Sequence, residues 1–427
     1  DTITGGTFEG DVTAPSGKIS GGKFKVVNPP YDWHLADGKS FEQKDGYYCV
    51  VDDTNTKVAE VGDVQYATLE EAIKKAQSGQ TVELLANATV LERIAIADKN
   101  ITIDTNGYSV IYSGDADHKS AIIDLEGEAQ VVVTGNGTFT FNDAYHDYNG
   151  FGYIFRLYDN SVLTIENGTY YAGLTCVQVG DSSAAYIKDG HFSASTDWED
   201  TWWVLNRIDN NNSKFYVSGG TFVNYDPTNS DTESPADNFC TPEYAATSTT
   251  DEEDNIIYTV VKATAQIGDT GYATLEAAIE AAANGDTVKL LADVTMKDGI
   301  LLDKGSGVAI TLDLNGFTYT VQEGANVNNR GFKINSGTLN VIDSSEGKTG
   351  KMVAEGSGTT QADGAGAYGV FRVEAGGTLN VTGVTLENSR PWGMNVKICG
   401  GIATLTDVTI ISSYGGGIEV TEAGLGT

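Results

Sequence analysis

The hydrophobic pattern changes period at two places along the chain, and the two places read alike. Tyr66 to Leu85 runs YATLEEAIKKAQSGQTVELL, and Tyr272 to Leu291 runs YATLEAAIEAAANGDTVKLL, with no gap between the copies. Leu69, Ala72, Ile73 and Ala76 recur at i, i+3, i+4 and i+7, which puts one apolar stripe on a short helix. Thr68 with Glu71 spells a capping box at its start, and Gly79 supplies the stop. In the second copy Leu275, Ala278, Ile279 and Ala282 make the stripe, Thr274 caps, Gly285 stops, and Ala277 stands where the box has its acid. After each stop the chain turns to β-branched and aliphatic runs, with no comparable helix until the next copy. A helix found only at the head of a long β segment predicts a lid, and its return at an offset of about 206 residues predicts a repeated module.

Between the lids a smaller motif recurs: aliphatic, any residue, aliphatic, a turn with Gly, then an aromatic or aliphatic residue. ITIDTNGY (Ile101 to Tyr108), VVVTGNGTF (Val131 to Phe139), LTIENGTY (Leu163 to Tyr170), AYIKDGHF (Ala185 to Phe192) and FYVSGGTF (Phe215 to Phe222) carry it in the first module. ITLDLNGF (Ile310 to Phe317), TLNVIDSS (Thr338 to Ser345), TLNVTGVTL (Thr378 to Leu386) and ATLTDVTI (Ala403 to Ile410) carry it in the second. Gly168, Gly190 and Gly220 lie about 22 and 30 residues apart, too far for hairpins and right for one turn of a coil holding several short strands. Stacking such turns in parallel buries alternate residues and leaves loops free to vary, but it exposes backbone at an uncovered end. The lid helices answer that need, and a second lid in mid-chain predicts a second coil.

The same reading divides the chain. Residues 1–57 hold ITGGTF (Ile3 to Phe8), ISGGKF (Ile19 to Phe24) and DGYYCVVDD, an order matching VSGGTF (Val217 to Phe222) and NIIYTVVKA (Asn255 to Ala263) further on, so they read as the end of a preceding module. Residues 58–263 read as a complete module and 264–427 as a second one, cut short. No signal peptide, sorting or lipidation motif is found, which predicts a mature or excised piece.

Composition sharpens this. Fifty-one Gly against seven Pro suits many short strands and tight turns, and 427 residues require two or more domains. No apolar run reaches the length of a membrane span. The net charge of −33 is spread along the chain and reads as a solvated, self-repelling surface. It argues against nucleic acid and anionic membranes, which are held through Lys and Arg clusters, and against uronate polymers unless calcium bridges the charges. Cys49, Cys176, Cys240 and Cys399 form no CxxC pair, so buried thiols are expected in place of a zinc site or a disulfide framework.

The order of lid helix, G[QD]TVxLL strand and ITI-x-x-NG turn resembles right-handed parallel β-helix proteins of the pectin-lyase-like superfamily. More narrowly it resembles the repeat modules of large secreted or wall-attached surface proteins of Gram-positive bacteria. The resemblance implies an all-β fold of two tandem right-handed parallel β-helices, each capped at its N-terminus by a short amphipathic α-helix. It also implies an extracellular, secreted or wall-attached location. It leaves activity open, because this fold hosts lyases, hydrolases, adhesins and tailspikes.

Two kinds of function fit. Lyases that resemble this fold use an Arg or Lys base and clustered Asp on calcium. IFRLYDNSVLTIENGTY (Ile154 to Tyr170) and VFRVEAGGTLNVTGVTL (Val370 to Leu386) align without gaps and place Arg156 opposite Arg372, but no Asp cluster recurs with them. An outward Arg paired with a neighbouring carboxylate is the plainer account. Asn-Thr-Asp, Asp-Asp, Gly-His-Gly and Arg-Ile-Lys signatures of the related hydrolases are missing. His34, His118, His146 and His191 show no metal spacing and no nucleophile partner.

Binding has better candidates. The first module inserts NDAYHDYNGFGY (Asn142 to Tyr153) and STDWEDTWW (Ser195 to Trp203), and three of the five tryptophans fall in the second insert. Tyr145, His146, Asp147, Tyr148, Trp198, Trp202 and Trp203 are the candidate glycan-binding residues, since aromatic faces stack on sugar rings and carboxylates accept hydroxyls. The alternative is that Trp202 and Trp203 fold over the coil as a satellite apolar cluster. No cofactor is expected; calcium on Asp115 and Asp117, or on Asp197, Glu199 and Asp200, is the one ion considered, and no EF-hand-like loop supports it. The leading expectation is a non-catalytic surface protein, adhesin-like or a spacer. Its partners would be host or dietary glycans, other surface proteins and flanking modules. The alternative is a polysaccharide lyase or glycosidase.

Overall fold

The computed structural model describes residues 2–10, 12, 14, 17–25, 35–36, 39–52, 57–114, 121–141, 152–195, 201–208, 212–233, 235–322, 331–356, 369–389, 393–412 and 416–421. Over these residues the protein is all-β with two short helices, and most strand pairs are parallel. It divides into two compact units, Asp1–Cys240 with Ala246–Val260, and Thr241–Ala245 with Val261–Thr427.

Three sheets grow in step through the first unit. The first holds Thr81–Leu84, Asn100–Asp104, Gln130–Thr134, Val162–Ile165, Ala184–Ile187 and Lys214–Val217 in that order. The second holds Ala88–Val90, Val110–Tyr112, Thr138–Phe141, Thr169–Ala172, His191–Ala194 and Thr221–Val223. The third holds Ile94–Ala97, Ala121–Glu126, Tyr153–Leu157, Thr175–Val179 and Leu205–Arg207. Each strand thus pairs in parallel with the strand three further along the chain. Alternation sets the burial: Val131 and Val133, Leu163 and Ile165, and Ala185 and Ile187 occupy matching positions and are fully buried.

The turn-glycine-aromatic motif has a packing cause. Phe139, Tyr170, Phe192 and Phe222 stack inside the second sheet at ring separations of 5.5, 4.8 and 5.0 Å. Gly190, two residues before Phe192, has φ +128°, and a Cβ there would lie 3.0 Å from the Phe192 ring and 3.1 Å from the Gly168 carbonyl. Only glycine lets the turn fold over the ring. At the corner between the third and first sheets, Ser161, Ser183 and Ser213 are buried. The Ser161 and Ser213 hydroxyls donate to the carbonyls of Leu125 and Val179 at 3.3 Å each, one step back in the stack, while Ser183 Oγ lies 3.4 Å from Leu157 O and donates to Gly180 O at 2.6 Å. Asp159 and Asp181, left-handed at φ 57° and 52°, precede two of these serines, and the Asp159 carboxylate accepts from Gly127 N at 2.8 Å.

Helix α1, Leu69–Lys75, packs against the first strand of all three sheets. Thr68 Oγ1 accepts from Glu71 N at 3.1 Å, and Leu69, Ala72 and Ile73 are buried, so stripe and cap stand as read. The stop differs. The helix ends at Lys75 with Ala76 as cap, and the Gly79 amide donates to Asn100 O at 2.6 Å, so pairing of the following chain with the next strand ends the helix before the glycine is reached. At the far end Thr221–Val223 pairs antiparallel with Ile256–Lys262. There an inward row that reads Leu125, Leu157, Val179 closes with Arg207. Its guanidinium meets Glu233 at 3.1 Å and Asp237 at 2.8 Å beyond the last strand.

Near the N-terminus Ile3–Phe8 pairs in parallel with Ile19–Phe24, which then pairs antiparallel with Tyr47–Asp52, itself paired with Lys39–Lys44. Phe8 and Phe24 stack at 4.8 Å and 10°. This repeats the close of the first unit, where parallel strands with a stacked aromatic column are followed by antiparallel partners.

In the second unit α2, Leu275–Ala281, buries Leu275, Ala278 and Ile279, and Thr274 Oγ1 accepts from Ala277 N at 3.1 Å. Like α1, α2 ends well short of its glycine, at Ala281 with Ala282 as cap, and the Gly285 amide donates to Ala309 O at 2.7 Å. One parallel sheet holds Val294–Met296, Thr318–Val321, Lys351–Ala354, Thr385–Asn388 and Thr409–Ser412. The long strands Phe332–Ile342 and Phe371–Thr382 each do the work of two strands of the first unit. Their first parts pair with Ile300–Asp303 and Val396–Cys399, and their second parts with Ala309–Asp313 and Ile402–Thr406. A register shift at Ile334/Ser336 separates the two parts. Among the described residues no helix is long and apolar enough to cross a membrane.

Candidate functional site

Topology brings the unusual inserts of the first unit to one place. Residues 113–120, 142–152 and 195–204 each lead directly into a strand of the third sheet: Ala121–Glu126, Tyr153–Leu157 and Leu205–Arg207. All three strands run the same way, so the inserts enter at the same edge of that sheet. Ile122 and Ile154, which alternate with inward Ile123 and Phe155, are fully buried on the other face of their strands, and buried Cys176 turns its Sγ to the Tyr170 and Ser193 carbonyls of the second sheet at 3.4 and 3.3 Å.

The polar residues of this face form one row in register, Asp124, Arg156, Gln178 and Asn206, one per strand. Asp124 is 1% exposed. Arg156 grips it with both arms, Nε donating to Oδ1 at 2.9 Å and Nη2 to Oδ2 at 3.0 Å, and Arg93 Nη1 reaches Oδ2 at 2.9 Å. The Tyr153 and Tyr158 rings lie 5.5 and 5.9 Å from the Arg156 guanidinium. Burial disfavours the Arg156 charge, but hydrogen bonding and attraction to Asp124 outweigh it and raise its pKa. Burial also raises the Tyr153 and Tyr158 hydroxyls, while Arg156 pulls each of them back. Both phenols are therefore neutral donors at pH 7. The Asp124 carboxylate is already bound by two guanidiniums, so the row is suited to fixing geometry and donating hydrogen bonds.

Of the residues read as candidates, Tyr145, His146, Asp147, Tyr148 and Trp198 lie outside the described residues, as do Asp115, Asp117, Asp197, Glu199 and Asp200. Trp202 and Trp203 are described and half-buried. Val204, directly after them, is fully buried, and its carbonyl accepts from Cys176 N at 2.9 Å, which anchors the tryptophan pair to the edge of the third sheet. Arg372 sits in the row Leu301, Lys333, Arg372, Lys397, Glu419 of the second unit and pairs with Glu374 at 2.5 Å. Both aligned arginines are thus outward and carboxylate-bound.

Asp124 was not singled out by sequence reasoning. It hides in AIIDLE, where an apolar run masks a single acid, and the gapless pairing of Arg156 with Arg372 gave no hint of it. Its signal is the acid within a strand that otherwise alternates without a polar face. His191 donates or accepts through Nδ1 with Thr221 Oγ1 at 2.8 Å, and burial lowers its pKa. All four cysteines are free, and burial pushes the Cys176 and Cys240 thiols up to about 12, which leaves them unreactive. Among the described residues no three His, Cys, Asp or Glu side chains converge as a metal site. Compared with known proteins, the chain is matched by no family model, no curated protein and no solved structure.

Proposed function

We propose that each unit is a right-handed parallel β-helix capped by its short helix, and that the chain is a run of modules bounded near residues 57 and 263. Parallel pairing of each strand in the three sheets of the first unit with the third strand on, and the parallel stacking of single and double-length strands in the second, support the coil. The recurrence of parallel strands, stacked phenylalanines and antiparallel partners in residues 3–52 supports reading them as the close of a further module. The function that fits best is a non-catalytic extracellular surface module, adhesin-like or a spacer, that binds glycans through the aromatic inserts at the edge of the third sheet of the first unit.

One observation carries this reading: the aromatic and acidic inserts all enter the sheet edge beside a row whose acid is already neutralised. Aromatic side chains with fixed hydrogen-bond donors match a sugar's ring faces and hydroxyls. The same face is where a lyase or glycosidase would act, so turnover must be scored beside binding. The experiment is a panel of neutral and acidic glycans, with and without calcium, read for bound glycan and for new reducing or unsaturated ends. Binding without new ends, lost in Trp202→Ala, is the expected result. New reducing or unsaturated ends from any glycan of the panel would replace the binding reading with the enzyme.

A further inference from the structure

One turn of the first unit gathers the parts of a reaction that binding does not use. Asn–Gly pairs occur among the described residues at Asn106, Asn136, Asn167, Asn284 and Asn315. Most are held out of reaction. The Gly137, Gly285 and Gly316 amides donate to Thr105 Oγ1, Ala309 O and Asp343 Oδ1 at 2.9, 2.7 and 2.9 Å, and the Asn106 side-chain amide is turned to Glu83 Oε1 and Leu84 O at 3.1 and 3.3 Å. Asn167 differs. The Gly168 amide donates to the Oδ1 of Asn167 itself at 2.7 Å, which sets the nitrogen beside the side-chain carbonyl group it would attack. Asn167 Nδ2 donates across the stack to Asn136 Oδ1 at 2.7 Å, which fixes that orientation. Tyr170 supplies the third part: its ring is fully buried in the aromatic column, and its hydroxyl donates to Asn167 O at 2.8 Å. Loss of the Gly168 proton moves negative charge onto that oxygen, where a fixed donor stabilises it. Phe139 holds the same place in the Asn136 turn and has no hydroxyl.

We infer that Asn167–Gly168 is a self-modification site, at which the chain converts Asn167 to aspartate or isoaspartate through a cyclic imide. Solvent base removes the Gly168 amide proton, the nitrogen bonds to Asn167 Cγ, and the Cγ–Nδ2 bond breaks, with Nδ2 taking up a proton and leaving as ammonia. Water then opens the ring at either carbonyl, so the whole step is a hydrolysis with water as the co-reactant. Glycine favours closure because no Cβ crowds the attack. Aspartate has a precedent in this stack: Asp189 stands at the same position of the next turn, and the Gly190 amide donates to its Oδ1 at 2.8 Å. Isoaspartate adds a backbone carbon to a turn where a Cβ on Gly168 would already lie 2.9 Å from Tyr170 Oη. The modified turn therefore either keeps its shape with a new negative charge or pushes on the aromatic column.

The test holds the full chain in mildly alkaline buffer, either folded or in urea, and follows each asparagine over time by peptide mass spectrometry, with fragmentation that separates aspartate from isoaspartate. Expected in the folded chain is deamidation of Asn167 severalfold faster than that of Asn106, Asn136, Asn284 or Asn315. In urea these rates should converge, because the fold no longer positions any of the pairs. Tyr170→Phe, which copies the Phe139 turn, should slow Asn167 to the rate of Asn136. An Asn167 no faster than Asn136 in the folded chain, an advantage that persists in urea, or an unchanged rate in a Tyr170→Phe variant with native circular dichroism would overturn the inference. The comparison of folded chain with urea decides by itself if that variant does not fold.

Discussion

The outward rows of the two units occupy equivalent strands and follow opposite rules. In the first unit Asp124 and Arg156 stand opposite each other, buried and doubly hydrogen-bonded. In the second unit Lys333, Arg372 and Lys397 stand opposite one another, half-exposed, with acids reached from the side. The inward positions are interchangeable: aliphatic and aromatic residues fill them in both units. The scaffold therefore constrains one side of each strand and leaves the other to chemistry, which is where the units diverge.

The largest expected effect separates the two rows. Asp124→Ala leaves Arg156 buried without its partner and should cost about 3–5 kcal/mol of stability, whereas Glu374→Ala on the exposed row should cost about 1 kcal/mol or less. Chemical denaturation followed by tryptophan fluorescence and circular dichroism measures both. A cost for Asp124→Ala no larger than that for Glu374→Ala would erase the distinction. Next comes the aromatic column of the first unit. Gly190→Ala must either move the Phe192 ring or leave a left-handed turn occupied by a side chain, at about 1–3 kcal/mol. An unchanged melting temperature would mean that the column adjusts freely.

The two lids should behave alike where the rows differ. Thr68→Ala and Thr274→Ala each remove one cap hydrogen bond of 3.1 Å and should each cost about 1 kcal/mol, read by thermal unfolding. A clear inequality would show that the helices are not equivalent closures. The smallest effect is a pH dependence confined to the first unit. His191 has its pKa lowered in the fold from 6.5, so its contribution is complete above that value and is lost as pH falls through the lowered folded value. His191→Gln should flatten this part of the stability profile between pH 7 and pH 5, and an unaltered profile would remove the histidine from the account.

Much of the fold was legible because it depends on local periodicity. The Leu69, Ala72, Ile73 stripe, the Thr68 cap and the strand cores announce themselves by spacing alone. What escaped depends on contacts between distant turns. The early end of α1 is set by Gly79 pairing with Asn100, and the buried serine corner by hydroxyls that reach carbonyls one step back in the stack. The site was legible in outline, since the Tyr- and Trp-rich inserts mark the first unit from the sequence alone. Its centre was not. Asp124 lies 32 positions before Arg156, and only strand register brings them together. The cation row escaped for the same reason, because Lys333, Arg372 and Lys397 are unremarkable until the strands are aligned.

The aromatic edge of the first unit's third sheet is proposed as a binding surface and not merely a packed one. Trp202→Ala, with glycan affinity and melting temperature determined on the same sample, tests it most directly. The account predicts that affinity is lost while the melting temperature moves by less than about 2 °C, as a surface substitution would. A fall of several degrees with affinity unchanged would show that the tryptophan serves packing alone.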